Sequence, residues 1–281
     1  MGWLNALPGA IAQGIIWGIM AIGVYITYKV LDIADLTVDG SICTGAAVCT
    51  MLVISGVNVW LAMLAALAAG MAAGLLTGVF HTFMGIPAIL AGILTQLILW
   101  SVNLKILGKA NQALPARNFY VLVTQLKKTQ TLLVLAAVSI VLIAVLYWFF
   151  GTELGSSIRS TGCNISMSRA QGINTDFNKI LGLMLSNGIV ALAGALLAQY
   201  QGSADINMGR GAIVIGLAAV IIGEAVFSRI SRNFIVRLLG VICGGIIYYI
   251  VYQTVIFFGL DTDLLKMLSA LVVAFFLAVP Y

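Results

Sequence analysis

The stretch from residue 7 to residue 41 reads LPGAIAQGIIWGIMAIGVYITYKVLDIADLTVDGS. No charged residue occurs from Leu7 to Tyr28; Lys29 and Asp32 then close the run. That length suffices to cross a bilayer, which takes roughly 20 apolar residues as a helix. Asp35-Leu36-Thr37-Val38-Asp39-Gly40-Ser41 follows, and the chain turns apolar again to about Ser55. A charge at membrane depth costs about 2.5–3.5 kcal/mol on insertion scales, so such residues face a cavity or mark a pathway. Two acids and a glycine between apolar runs therefore predict a broken helix whose freed backbone groups need protein or water partners. The plain alternative is a short loop in which Asp39 caps the next helix.

The rest of the chain repeats the apolar pattern. Of 281 residues, 62% are apolar and 8% charged, with a mean hydropathy of +1.12. Soluble domains run near 45–50% apolar and about 25% charged, and so little charge cannot keep a water-facing surface of this size from aggregating. The composition excludes a soluble enzyme, a secreted disulfide scaffold and a disordered chain. Runs at 59–80, 87–107, 132–150, 180–199, 212–227, 238–258 and 264–280 predict further spans. The expected fold class is all-α, a polytopic bundle of about eight to ten membrane-spanning or partly inserted helices. Gly70, Gly74 and Gly78 fall on one helix face, the spacing that lets helix backbones approach closely in lipid. Residues 1–10 carry neither a basic region nor a cleavage site, so no removable leader is expected.

The charges map the topology. Lys and Arg number 14 against 9 Asp and Glu, an excess that belongs to cytoplasmic loops. Arg229, Arg232 and Arg237 predict an inner loop, Asp261 and Asp263 an outer one. Alternation then puts the hydrophilic stretch Gly151–Asn178 inside. It puts Lys105–Gln130, with five basic residues and no acid, outside, as a partly inserted element. The Gly151–Asn178 stretch is far longer than the 2–8 residues usual between bundle helices, a shape suited to docking a soluble partner. Thr175 or Asp176 is the expected N-cap of the helix that follows.

Chemistry-bearing motifs are scarce. The sequence holds no HExxH, GxSxG, metal-ligand cluster or phosphate-binding GxxxxGK[ST] loop. His81 stands alone near a membrane boundary, and four cysteines show no CxxC pair. Transport energised from elsewhere is the default. Glu224 ends an apolar run and is expected to pair with Arg229 or Arg232. Gln96 and Asn103 lie within or late in a span, as interhelical hydrogen-bond partners or pore lining.

The residues 35–41 resemble the D-L-[ST]-V-G-S signature of the permeases of ribose-type and branched-chain amino acid ABC importers. Leu154-Gly155, Gly162-Cys163-Asn164 and Gly172-Ile173-Asn174 resemble that family's cytoplasmic motif. Ser186-Asn187-Gly188 and the run from Gly216 to Gly223 resemble the helices that follow it. The likeness extends over nearly the whole chain. Gln171 stands where serine is usual, Glu224 where a second glycine is common, and Asp39 is inserted before Gly40. Asp39-Gly40-Ser41, Ser-Asn-Gly and Ile-Ile-Gly-Glu together resemble a narrower branch associated with binding proteins for tryptophan or tyrosine.

The resemblance implies one permease domain over 1–281, working as a homodimer, with a cytoplasmic coupling loop at 151–178. Arg159, Gly162, Asn164, Arg169, Gly172 and Asn174 would engage two ATP-binding subunits. ATP and Mg would sit on those partners, with no cofactor on this chain. An extracytoplasmic binding lipoprotein would deliver solute to a path lined by Asp35, Thr37, Asp39, Ser41 and Gln96. The alternative is an ion-coupled secondary transporter using Asp35, Asp39 or Glu224.

Overall fold

In a computed structural model the protein is described over residues 2–115, 119–227 and 233–257, with positions 267, 270, 271 and 274 beyond them. Arg117, Arg229, Arg232, the Asp261/Asp263 loop and most of the last expected span lie outside these residues. The described chain is helical apart from two three-residue strands. Its elements are α1 (Gly2–Tyr25), a π-helical turn (Ile26–Val30), α2 (Val38–Ile54), α3 (Val59–Thr82), α4 (Ala88–Leu107), β1 (Asn111–Ala113) and α5 (Lys128–Gly151). Then come α6 (Glu153–Cys163), α7 (Ile165–Ala170), α8 (Thr175–Gln201), β2 (Ser203–Asp205), α9 (Ala212–Phe227) and α10 (Phe234–Phe257). Six helices, α1 with its π turn, α3, α4, α5, α8 and α10, are long and apolar enough to cross a membrane; α2 and α9 are shorter apolar helices.

Helix α8 is the axis. Its residues from Ser186 to Ala191 and from Ala193 to Tyr200 are buried, and α1, α2 and α3 pack around it. Lipid supplies no hydrophobic drive between helices, so close backbone approach has to. A Cβ added at Gly70 would meet the Asn187 backbone, one at Gly74 the Leu183 backbone, and one at Gly78 would stand 3.0 Å from Ile180 Cα. The three glycines thus seat α3 on α8. On the next face Gly45 meets the Ala191 backbone and Gly194 the Ile42 carbonyl, which brings α2 equally close. Helices α4 and α5 present most of their apolar side chains outward, as lipid-facing helices do.

Residue pairings fix directions. Gly23 lies against Ser186 and Val190, and Tyr200 Oη donates to the Gly9 carbonyl at 3.3 Å, so α1 runs antiparallel to α8. Ser41 pairs with Asn187, and the Gln199 amide donates to Cys49 Sγ, so α2 runs parallel to it. The expected broken helix is therefore a reversal of direction: 31–37 is a turn with Asp35 and Thr37 buried in the bundle and Asp32 and Ala34 exposed. Asp32 takes the left-handed conformation, φ 56°, which aspartate tolerates better than most residues.

Strands β1 and β2 pair antiparallel, Asn111 opposite Asp205, so the α4–α5 and α8–α9 connections share one face. Leu114 N donates to the Gly202 carbonyl at 2.7 Å and Leu122 N to Gln199 Oε1 at 3.0 Å. The basic stretch after α4 is thereby folded onto the end of α8. Helices α6 and α7 lie at the opposite end.

A methyl group at Gly45 would drive α2 off α8. Gly45→Ala should lower stability by roughly 1–3 kcal/mol, read as an earlier thermal transition of the detergent-purified chain. Gly151→Ala, whose Cβ meets nothing within 4 Å, should leave it unchanged. Equal transitions for both would refute the close approach.

Candidate functional site

The turn at 31–37 carries a closed set of buried hydrogen bonds. Asp35 is 3% exposed. Its Oδ1 accepts from Thr37 N at 2.9 Å and its Oδ2 from Asn187 Nδ2 at 2.7 Å. Ser41 Oγ donates to Asn187 Oδ1 at 2.6 Å, and Asn187 Nδ2 also donates to the Leu183 carbonyl at 3.0 Å. Among the described residues no cation pairs with Asp35. A buried carboxylate is tolerated only when hydrogen-bonded, and here a backbone N–H and an amide meet that need. Beside it the hydroxyls of Thr37, Thr77 and Thr95 stand in line at 2.7 and 2.9 Å, all buried. They join α3 and α4 to the turn. Gly92 of α4 brings that helix against the turn, where a Cβ would stand 2.8 Å from Leu36 N.

One helical turn along α2, Asp39 has a different task. Its two carboxylate oxygens accept from Gly211 N at 2.9 Å and Ile213 N at 3.0 Å. It caps α9, not α2, and its charge lies against the positive end of the α9 dipole. Asp39 also lines a cleft of about 120 Å³ with Gln96, Trp100, Asn103 and Arg210. Asn103 Oδ1 is buried there without a partner among the described residues.

The other candidate surface is the end formed by α6 and α7. Thr152 accepts from Gly155 N at 3.3 Å and caps α6; Asn164 accepts from Met167 N at 2.9 Å and caps α7. Asn174, not Thr175 or Asp176, caps α8, accepting from Phe177 N at 3.1 Å. Gly172 turns the chain at φ +80°, a conformation glycine adopts without strain. Gly162 packs on the Val30 carbonyl, where a Cβ has no room. Arg169 donates to Thr175 Oγ1 at 2.9 Å and pairs with Asp176 at 3.3 Å, bracing α7 against the first turn of α8.

The structure thus brings Asp35, Thr37 and Ser41 into one network and sets Asp39 with Gln96 in the neighbouring cleft. Arg159 points inward, its guanidinium carbon 4.3 Å from the Phe234 ring centre and 5.4 Å from that of Phe150. α6 and α7 present outward the polar Glu153, Ser156, Ser166 and Arg169 together with the apolar Leu154, Ile165 and Met167, with Phe177 beside them. Glu224 pairs with Lys29 at 2.9 Å, a partner the sequence reading did not weigh; Arg229 and Arg232 lie outside the described residues. His81 Nδ1 donates to the Ile86 carbonyl at 2.9 Å, closing a turn.

Asn187, Thr77, Thr95 and Arg210 were not singled out as site residues. Asn187 stands in Ser-Asn-Gly inside an apolar run, and Arg210 is a lone cation beside one; both signals are present in the sequence. The two threonines carried no signal beyond polarity within a span.

Comparison with known proteins gives consistent results. Residues 7–277 match the family described as branched-chain amino acid transport system, permease component. A tyrosine transport system permease protein of Clostridioides difficile is 40% identical over 276 residues, 98% of this chain and 91% of that protein. An uncharacterized protein of Rickettsia prowazekii is 32% identical over 96% of this chain and 95% of its own length. A solved chain of PsaBC from Streptococcus pneumoniae, in complex with Fab, superposes with a TM-score of 0.52 at 15% identity. The superposition covers 98% of this chain and 89% of that one, and it shows a shared fold.

Removing the Asn187 amide leaves Asp35 without its side-chain donor. Asn187→Ala should cost about 1.5–3 kcal/mol, the worth of a hydrogen bond to a charged group. Asp39→Ala should cost about 0.5–2 kcal/mol as a lost cap, and Asp39→Asn less. Thermal unfolding in detergent reads all three; an unchanged Asn187→Ala would mean that Asp35 has another donor.

Proposed function

The chain belongs to the family of permease components of branched-chain amino acid transport systems, and we propose that it is the membrane subunit of a binding-protein-dependent ABC importer for amino acids. It is a multi-pass protein of the bacterial plasma membrane and a transport subunit. In our reading two copies form the working unit. Two ATP-binding subunits dock on α6 and α7 and hold the ATP and Mg, and a binding lipoprotein docks on the face carrying β1 and β2. The substrate class is aromatic amino acids, tyrosine or tryptophan, a choice supported by the name of the 40% identical relative.

The observation that carries the coupling is the continuity of α8. Its first turn is braced to α7 by Arg169, and three turns further on it holds Asn187 against Asp35 and Ser41. A push on α7 therefore reaches the buried turn through one rigid helix. Closure of the ATPase pair supplies that push. Arg159, Gly162, Asn164, Gly172 and Asn174 serve by holding the docking end in shape, while Ile165 and Met167 make the contact. The turn around Asp35, Thr37 and Ser41, with Asp39 and Gln96 next to it, lines the path.

The ion-coupled alternative has less support. Asp39 is occupied with two backbone donors and Glu224 with Lys29, and the family favours an ATP-driven partner.

Proteoliposomes holding the chain, its ATPase and its binding protein should take up tyrosine only with ATP. Met167→Asp should weaken ATPase association by about tenfold, roughly 1.4 kcal/mol. Uptake by the chain alone under a pH gradient would overturn the importer reading. A binding protein that takes only sugars or branched aliphatic amino acids in calorimetry would overturn the substrate.

A further inference from the structure

A second cleft lies apart from the polar turn. It has a volume of about 780 Å³ and opens where the ends of α1 and α5 and the start of α10 meet α6. Small-molecule sites commonly measure roughly 300–1,000 Å³. Tyr25, Lys29, Trp148, Arg159, Phe234 and Arg237 line it. Lys29 is offset by Glu224. Arg159 and Arg237 are not offset: among the described residues neither has a carboxylate within ion-pair distance.

Arg159 is the more telling of the two. Its guanidinium is held over two aromatic rings, yet among the described residues its buried Nε–H has no hydrogen-bond acceptor. A buried donor attached to a charge is costly to leave unmade, and an anion in the cleft would satisfy it. Arg237 stands with Tyr25 on the lining of the same cleft, and its guanidinium carries five donors in a planar fork. Such forks match phosphate oxygens.

The rim says which anion. Tyr147 and Trp148 are 47% and 71% exposed at the end of α5, and Val145, Val141 and Ile140 continue outward-facing along the same helix. Exposed Tyr and Trp at a span's end mark the headgroup level, and the apolar strip beyond them suits an acyl chain. Basic pockets between membrane helices bind anionic headgroups. We propose that this cleft binds the phosphate-bearing headgroup of an anionic phospholipid, with Arg159 and Arg237 on the phosphate and an acyl chain along α5. Free phosphate offers the same charge but leaves the strip unused.

The test uses the full chain in detergent. Native mass spectrometry measures retention of phosphatidylglycerol against phosphatidylcholine, with inorganic phosphate added as competitor. Phosphatidylglycerol should be retained in preference, and phosphate should not displace it. Arg159→Gln and Arg237→Gln should each weaken it about fivefold. Arg237 is exposed, so its variant folds even if the Arg159 variant does not; thermal scans without lipid distinguish the two cases. Equal retention of both lipids, displacement by phosphate, or unchanged affinity in Arg237→Gln would overturn the proposal.

Discussion

Asn187 holds a reversal of the chain together at a depth where water is scarce. Its nitrogen donates to Asp35 and its oxygen accepts from Ser41, so one amide closes both sides of the turn between α1 and α2. The rest of the bundle is arranged to keep that amide in place. Helix α8 carries it, and α3 lies against its backbone through Gly70. Irregular backbone at membrane depth survives only where protein or a cavity satisfies it. The crowding of α1, α2 and α3 around α8 meets that condition.

The same economy governs the two acids of the stretch. Asp35 is held by an amide and a backbone N–H inside the bundle, Asp39 by the exposed N–H groups at the start of α9. Among the described residues neither pairs with a cation. In a chain with so few charges, helix ends and side-chain amides take the place of ion pairs. Among the described residues the ion pairs, Lys29 with Glu224 and Arg169 with Asp176, lie near helix ends and are partly exposed.

Much of this architecture was legible in the residues. Apolar run length located the spans, and the glycine triplet of α3 marked a close packing face, because both depend on local sequence alone. The polar break at 35–41 was visible as well, but its form was not. A break in one helix and a reversal between two look alike along the chain; only the directions of α1 and α2 against α8 separate them. Caps were displaced by one residue at Asn174, and Asp39 caps a helix distant in sequence, since a side chain's partner is set by tertiary contact. The docking end was legible as a loop with arginines. Its outward apolar side chains at Ile165 and Met167 were not, because α7 is too short to show a periodic pattern.

The small ribbon of β1 and β2 has a mechanical meaning. It ties the α4–α5 connection to the α8–α9 connection on that side. At the other end, where α6 and α7 sit, Asn178 of α8 donates to Thr161 of α6 at 2.9 Å and accepts from Ser157 at 3.2 Å. Backbone pairing thus carries the ribbon end, and side-chain hydrogen bonds to a single helix, α8, carry the other.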